Sequence, residues 1–245
     1  MTKYAIRTEG LSKSYGTYDA LQPLSLDIAE GEVFGLIGHN GAGKTTTVNI
    51  LTTLMAPTSG TAEVGGHSVT KHPNEVRANI GYLPENVQFY DNLSLLENLS
   101  FFAQLSGIRR PHQRIRDVLE ILDFEGHEKQ KIGQFSKGMR QRVGIAQTII
   151  HSPKVIFLDE PTSGLDPQGV RSLRETIVRL NSEFGMTIFM NTHLLSEVTK
   201  TCTSIGILSG GKLVHHDTLD KTLAAFPEDN SLEEIYFDLE TTLKI

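Results

Sequence analysis

The stretch Gly38-His39-Asn40-Gly41-Ala42-Gly43-Lys44-Thr45 constrains this chain more than any other, because it fits the spacing G-x-x-x-x-G-K-[ST]. An apolar run, Val33–Ile37, precedes it and a helical run, Thr46–Leu51, follows it. A buried strand, a glycine-rich turn and a helix in that order form a cradle for an anion. The glycines let the backbone turn tightly and aim its N–H groups inward. The new helix adds unpaired N–H groups and the positive end of its dipole. Lys44 can then reach the β- and γ-phosphates of a nucleotide, and the Thr45 hydroxyl can ligate Mg²⁺. Gly38, His39, Asn40, Gly41, Ala42, Gly43, Lys44, Thr45 and Thr46 are the expected phosphate-binding residues.

Short apolar runs alternate with helical patterns along the chain, which predicts an α/β fold with a largely parallel sheet. Val33–Ile37, Val155–Leu158, Thr187–Met190 and Ile205–Leu208 are nearly continuous apolar runs, as expected of strands covered on both faces. Tyr4–Arg7, Ser25–Ile28 and Ala62–Val64 are separated by turn residues and read as short antiparallel strands. Gly210-Gly211 reads as a hairpin turn. The middle of the chain is helical. Ser94 and Glu97 form a capping box, Leu95, Leu99 and Phe102 follow at helical spacing, and Gly107 and Pro111 interrupt. Ile115, Val118, Leu119 and Leu122 resume a helical stripe, and Pro153 closes the region. These stripes read as core. An amphipathic piece around Leu232–Tyr236 sits in the last segment.

Composition narrows the function. A net charge of -6 opposes sequence-independent nucleic-acid binding, which needs a basic surface. Cys202 is the only cysteine, so no intramolecular disulfide can form, and it reads as a small buried apolar residue. No apolar run approaches the about 20 residues of a membrane span. Met1–Ala5 lacks the apolar core of a signal peptide. A cytoplasmic location is expected, with any membrane attachment made through a partner. His67, His72, His215 and His216 lack metal-ligand spacing and read as surface residues.

A second acidic feature complements the cradle. Val155–Leu158 ends in Asp159-Glu160. Beside a phosphate-binding loop, Asp159 is placed to hold Mg²⁺ directly or through water, and Glu160 to polarise a water for attack on the γ-phosphate.

Three further segments complete a pattern. They are Phe135-Ser136-Lys137-Gly138-Met139-Arg140-Gln141-Arg142, Pro161-Thr162-Ser163-Gly164-Leu165-Asp166-Pro167, and Asn191-Thr192-His193. Taken together with the cradle, the chain resembles the ATP-binding cassette (ABC) ATPases, the nucleotide-binding subunits of ABC transporters. The resemblance covers about residues 3–225 with the motifs in the family's order. It implies a P-loop NTPase (RecA-like) parallel core with an antiparallel β layer, over 1–85 and 152–225. A helical subdomain is implied over 86–151, followed by a C-terminal extension over 226–245.

The resemblance assigns roles residue by residue. Tyr15 matches the aromatic that stacks on adenine. Ser136 and Gly138 match the signature segment, which closes over a γ-phosphate bound to a second subunit. Asp166 matches the loop linking the two sites of a dimer, and His193 the switch histidine on the γ-phosphate. Glu85 stands where most of the family has glutamine; it is expected as a sensor residue near Mg²⁺, alongside Thr45 and Asp159. Lys137 and Met139 depart from the usual glycine and glutamine. Lys137 either lends charge to the composite site or points into solvent. Both departures resemble an exporter-type group.

The expected function is therefore ATP binding and hydrolysis with Mg²⁺ by a subunit that pairs with a second cassette and drives a separate membrane permease, an exporter. No nucleic-acid partner is expected. Asn86–Asp91 is the expected docking surface, with Phe89 and Tyr90 either filling a partner pocket or buried in the chain's own core. The competing reading is a soluble cassette ATPase, which often has two cassettes, a long coiled-coil insert or zinc cysteines. An inactive cassette is the third reading, and the intact Lys44, Asp159, Glu160 and His193 set opposes it.

Overall fold

Two sheets with different hydrogen-bonding logic divide the strands between them in the computed structural model, which describes residues 3–225 and 232–242. Strands β1 (Tyr4–Tyr15), β2 (Tyr18–Ala29) and β3 (Val33–Ile37) lead through the glycine cradle into α1 (Lys44–Leu51). Next come β4 (Ser59–Val64), β5 (His67–Ser68), α2 (Pro73–Asn79) and β6 (Ile80–Leu83). The helices α3 (Leu95–Leu105), α4 (His112–Ile121) and α5 (Lys137–Ile149) follow. The chain continues through β7 (Val155–Asp159), α6 (Pro167–Ser182), β8 (Thr187–Thr192) and α7 (Leu195–Thr201). Then come β9 (Ser204–Ser209), β10 (Lys212–Thr218), α8 (Leu219–Ala225) and α9 (Leu232–Thr242).

The larger sheet has the order β10-β9-β3-β8-β7-β6. Its strands run parallel from β6 to β9, and only the edge strand β10 is antiparallel, turned back at Gly210-Gly211. Every residue of β3, β7 and β8 is buried, because both faces of these strands are covered. Alternate residues serve different cores. Val33 and Ile37 join Ile156, Leu158 and the helical side of the sheet. Phe34 and Leu36 join Phe157, Phe189, Val48 and the antiparallel layer. The rings of Phe34 and Phe157 each lie within 5.3 Å of Phe189, centroid to centroid. Cys202 is buried, its thiol pushed up by desolvation, and its sulfur faces Gly35, where a Cβ would sit 2.8 Å away.

The smaller sheet is antiparallel, with order β2-β1-β4-β5. Here the structure corrects a length. The N-terminal strands read from the sequence as four-residue pieces, but β1 and β2 run for 12 residues each. Register shifts between Thr8 and Leu11 and again before Ser14 break the period-two pattern, so a continuous strand looks fragmented in sequence.

The helical segment forms as its caps dictate. The Ser94 hydroxyl accepts the Glu97 N–H and the Glu97 carboxylate accepts the Ser94 N–H, which starts α3. Leu95, Leu99, Ile115, Val118 and Leu119 bury the stripes of α3 and α4. In α9, Leu232, Ile235 and Tyr236 are buried while Glu233 and Glu234 face solvent, and the helix rests against α7. The rest of the expected extension, at 226–231 and 243–245, lies outside the described residues, as do Met1 and Thr2.

Candidate functional site

The ends of β3, β8 and β7 lie side by side, with Ile37 opposite Thr192 and Asp159 opposite Asn191. Parallel strands in this order bring the loops after their C-terminal ends into one crevice. That crevice is a cleft of about 470 Å³ lined by Tyr15, Asn40, Gly41, Gly43, Lys44, Thr45, Thr46, Glu85, Asp159 and Glu160. A larger hollow of about 570 Å³ opens at the opposite end of the strands, beside Ser152, Val155 and Met186. It contains none of the cradle residues, so the chemistry belongs to the smaller cleft.

The cradle holds its lysine inside. Lys44 is buried, and its Nζ donates to Gly38 O at 2.7 Å and His39 O at 3.2 Å. Burial lowers its pKa, while the Glu160 and Asp159 carboxylates act in the opposite direction. Gly43 begins α1 at φ 102° with no side-chain cap, which leaves the N–H groups of the first turn to an incoming anion. A Cβ at Gly43 would lie 2.7 Å from Ala20 O, so only glycine fits there.

Asp159 is buried opposite the cradle. Its carboxylate accepts from Asn191 Nδ2 at 2.5 Å and from Tyr82 Oη at 3.4 Å. Desolvation pushes its carboxyl up, the Asn191 bond opposes that, and the charges of Glu160 and Glu85 add to it. Tyr82 is in turn pushed up to about 12 by burial and by the neighbouring Asp159 charge.

Glu160 occupies a conformation that is rare for a side chain of its kind. Its φ is 46°, held by its N–H donating to Asn191 O at 2.9 Å and its carbonyl accepting from Ser163 N at 3.0 Å. Its Oε2 is a buried oxygen without a hydrogen-bond partner. His193 Nδ1 lies 2.9 Å from it, but that approach falls outside hydrogen-bond geometry. The imidazole itself is half exposed.

Ser136, Gly138 and Asp166 do not line this cleft. Ser136 caps α5, its hydroxyl accepting Met139 N at 3.2 Å, and Asp166 caps α6 by accepting Gly169 N at 2.7 Å. The two helix starts touch, since a Cβ on Gly138 would sit 3.5 Å from Gly169 Cα. Lys137 is exposed, and its ammonium lies over Gly164. Phe89 and Tyr90 part ways. Phe89 packs against the helical core, whereas Tyr90 stays 52% exposed, edge-on to Phe101 at 5.2 Å.

Sequence reasoning missed Tyr18, Ala20 and Asn191 in the cleft wall and Tyr82 on Asp159. Asn191 was legible in principle. The run read as ending at Met190 continues to Thr192, and two more residues place Asn191 beside Asp159.

The sequence profile of the ABC transporter family matches residues 21–163, more than half of the chain. The chain belongs to the ABC transporter family. This ABC subunit is 40% identical over 215 residues to the bacitracin transport ATP-binding protein BcrA of Bacillus licheniformis, an alignment covering 88% of this chain and 70% of that one. It superposes on cbiO1 of Clostridium perfringens, part of the ABC transporter complex cbiONQ, with a TM-score of 0.82 and 27% identity, over 97% of this chain and 99% of that chain. It also superposes on an ATP-binding cassette solved as a dimer in a post-hydrolysis state with ADP and Pi, at TM-score 0.76 and 26% identity, over 87% of this chain and 98% of that chain. The ABC subunit is thus the ATP-binding, ATP-hydrolysing component of a transporter. No helix among its described residues is long and apolar enough to cross a membrane.

Proposed function

We propose that Lys44, the cradle amides and Thr45 hold the triphosphate of ATP, that Glu160 activates water and that His193 steadies the γ-phosphate. The observation that supports this most is that Glu160, whose Oε2 is buried and makes no hydrogen bond, lines the same cleft as Lys44. A carboxylate oxygen shielded from water, with no donor hydrogen-bonded to it, is a ready proton acceptor. Its backbone strain fixes where that oxygen points. Positioning and charge neutralisation are most of what phosphoryl transfer asks of a protein. Tyr15 offers an exposed ring to the adenine at the cleft mouth, with Lys13 Nζ 5.3 Å from the ring centroid.

The cleft suits Mg²⁺. Glu85, Asp159 and Glu160 bring three carboxylates to a lining with Lys44 as its cation. No three acidic or histidine side chains among the described residues gather closely enough to hold a metal by themselves. Mg²⁺ takes one or two carboxylates together with phosphate oxygens and water, and this lining offers the carboxylates. Asp159, Thr45 and Glu85 would hold it, and it would supply charge to the β- and γ-phosphate oxygens.

Ser136, Gly138 and Asp166 lie outside the lining of the chain's own Lys44 cleft and act on a nucleotide held by a second cassette. The subunit sits at the cytoplasmic face of the membrane through a permease, with Tyr90 and Phe101 as the exposed aromatic part of the docking surface. Glu85 and the Phe135–Arg142 segment, both exporter-like, favour outward transport of a drug, lipid, polysaccharide, ion or peptide. A tagged chain captured from solubilised membranes tests the partner: a co-purifying hydrophobic chain that stimulates ATP turnover is expected. Capture of soluble proteins alone would favour the soluble-ATPase reading.

A further inference from the structure

Between exposed Tyr90 and the helix that presents Ser136, successive residues are tied down. Asn98, fully buried on α3, accepts Tyr90 N–H at 2.9 Å and donates to Tyr90 O at 3.1 Å. One residue on, Asp91 O accepts Gly133 N at 3.0 Å, and Asp91 Oδ1 accepts Arg140 Nη2 at 2.6 Å. Arg140 Nη1 also donates to Ile132 O at 3.3 Å, while Ile132 N donates to Leu93 O at 3.1 Å. Arg140 stands one turn beyond Ser136, its N–H donating to Ser136 O at 2.9 Å. Gly133 leaves no slack: a Cβ there would sit 3.1 Å from Asp91 O.

We propose that the Asp91–Arg140 ion pair is a positioning link. It sets the angle at which Ser136 meets the nucleotide on a second cassette, and it passes displacement of the Tyr90 loop to that serine. This rests on the paired-cassette reading above. The geometry favours transmission rather than local stability alone. The side chain of Asp91 is 60% exposed and that of Arg140 25%, so the pair adds little to folding. Yet it bridges the loop beside the docking surface to the first turn of α5, whose cap residue must be placed within a fraction of an ångström to bond a phosphate. The guanidinium holds a carboxylate and a backbone carbonyl at once, which fixes direction as well as distance.

The test uses the full chain carrying Glu160→Gln, which is expected to trap an ATP-bound dimer. Asp91→Asn and Arg140→Gln should each raise the ATP concentration for half-maximal dimerisation about tenfold, since a several-fold loss per subunit counts twice in a symmetric dimer. Binding of a fluorescent ATP analogue to the monomer should change less than twofold. The urea unfolding midpoint of each variant should stay at that of the parent chain, so a loss of dimerisation without a loss of stability separates positioning from a merely structural role. Arg140→Lys keeps the charge without the fork and serves if Arg140→Gln does not fold. Dimerisation at wild-type ATP concentrations in the single variants, or a dimerisation loss matched by a fall in the urea midpoint, would overturn the link. Capture of the permease by a Tyr90→Ala chain tests the docking surface separately.

Discussion

His193 and Glu160 follow adjacent parallel strands, β8 and β7, and meet with Nδ1 2.9 Å from Oε2. The contact is a close approach of imidazole and carboxylate rather than a hydrogen bond between them. Glu160→Gln keeps the shape and removes the proton acceptor. ATP binding should persist while steady-state hydrolysis falls by about 10²-fold or more, the scale of a lost general base. Near-normal phosphate release by the purified variant would reject the assignment.

Lys44→Met should separate binding from folding. The ammonium is buried at a desolvation cost and bonds only loop carbonyls, so the apolar isostere should change the urea midpoint little. Affinity for ATP should fall by about 10-fold or more, as expected when a charge-assisted contact worth about 1.5–3 kcal/mol is removed. Titration calorimetry with unchanged affinity would place the phosphates elsewhere.

Ser136→Arg fills the start of α5 with a long cation. Nucleotide binding to the monomer should survive, because Ser136 does not line the Lys44 cleft. ATP-dependent dimerisation of the Glu160→Gln protein should be lost on gel filtration. An undiminished dimer would argue against a composite site.

Gly43→Ala imposes both a positive φ on an L residue and a clash with Ala20 O. It should destabilise the fold by about 2–3 kcal/mol and weaken ATP binding with it. Urea melts with and without ATP would report both losses, and a stable, fully binding variant would show that the cradle relaxes.

His215 and His216 on β10 have pKa values lowered by desolvation, although His215 is half-buried and His216 exposed as a residue, so His215 is the better shielded of the two. His216 packs edge-on against Phe34, and His215 Nε2 lies 2.7 Å from Thr222 Oγ1. Below the unfolded value of about 6.5 the unfolded chain gains protons that the folded chain refuses, so stability must fall as pH drops through that window. Above it these residues contribute no slope. The melting temperature should decline between pH 7 and pH 5, and His216→Leu should flatten part of the decline. An unaltered slope would locate the acid sensitivity in other groups.

Both sides of the candidate site were legible in sequence, since each is a contiguous backbone device. The cradle is a strand, glycines and a helix start. The acidic pair is an apolar strand with two carboxylates at its tip. The cap at Ser94 was equally local. Tertiary structure decided what lies opposite what. Asn191 meets Asp159 only because β8 pairs with β7 in one register, and Tyr82 reaches it only because β6 adds to the other edge of β7. Phe89 turning inward while Tyr90 stays out, and Arg140 finding Asp91, likewise depend on how three helices pack. Local hydrogen-bond and anion chemistry is written residue by residue, whereas register and packing are set by the sum of many distant apolar contacts, which no short stretch of this chain contains.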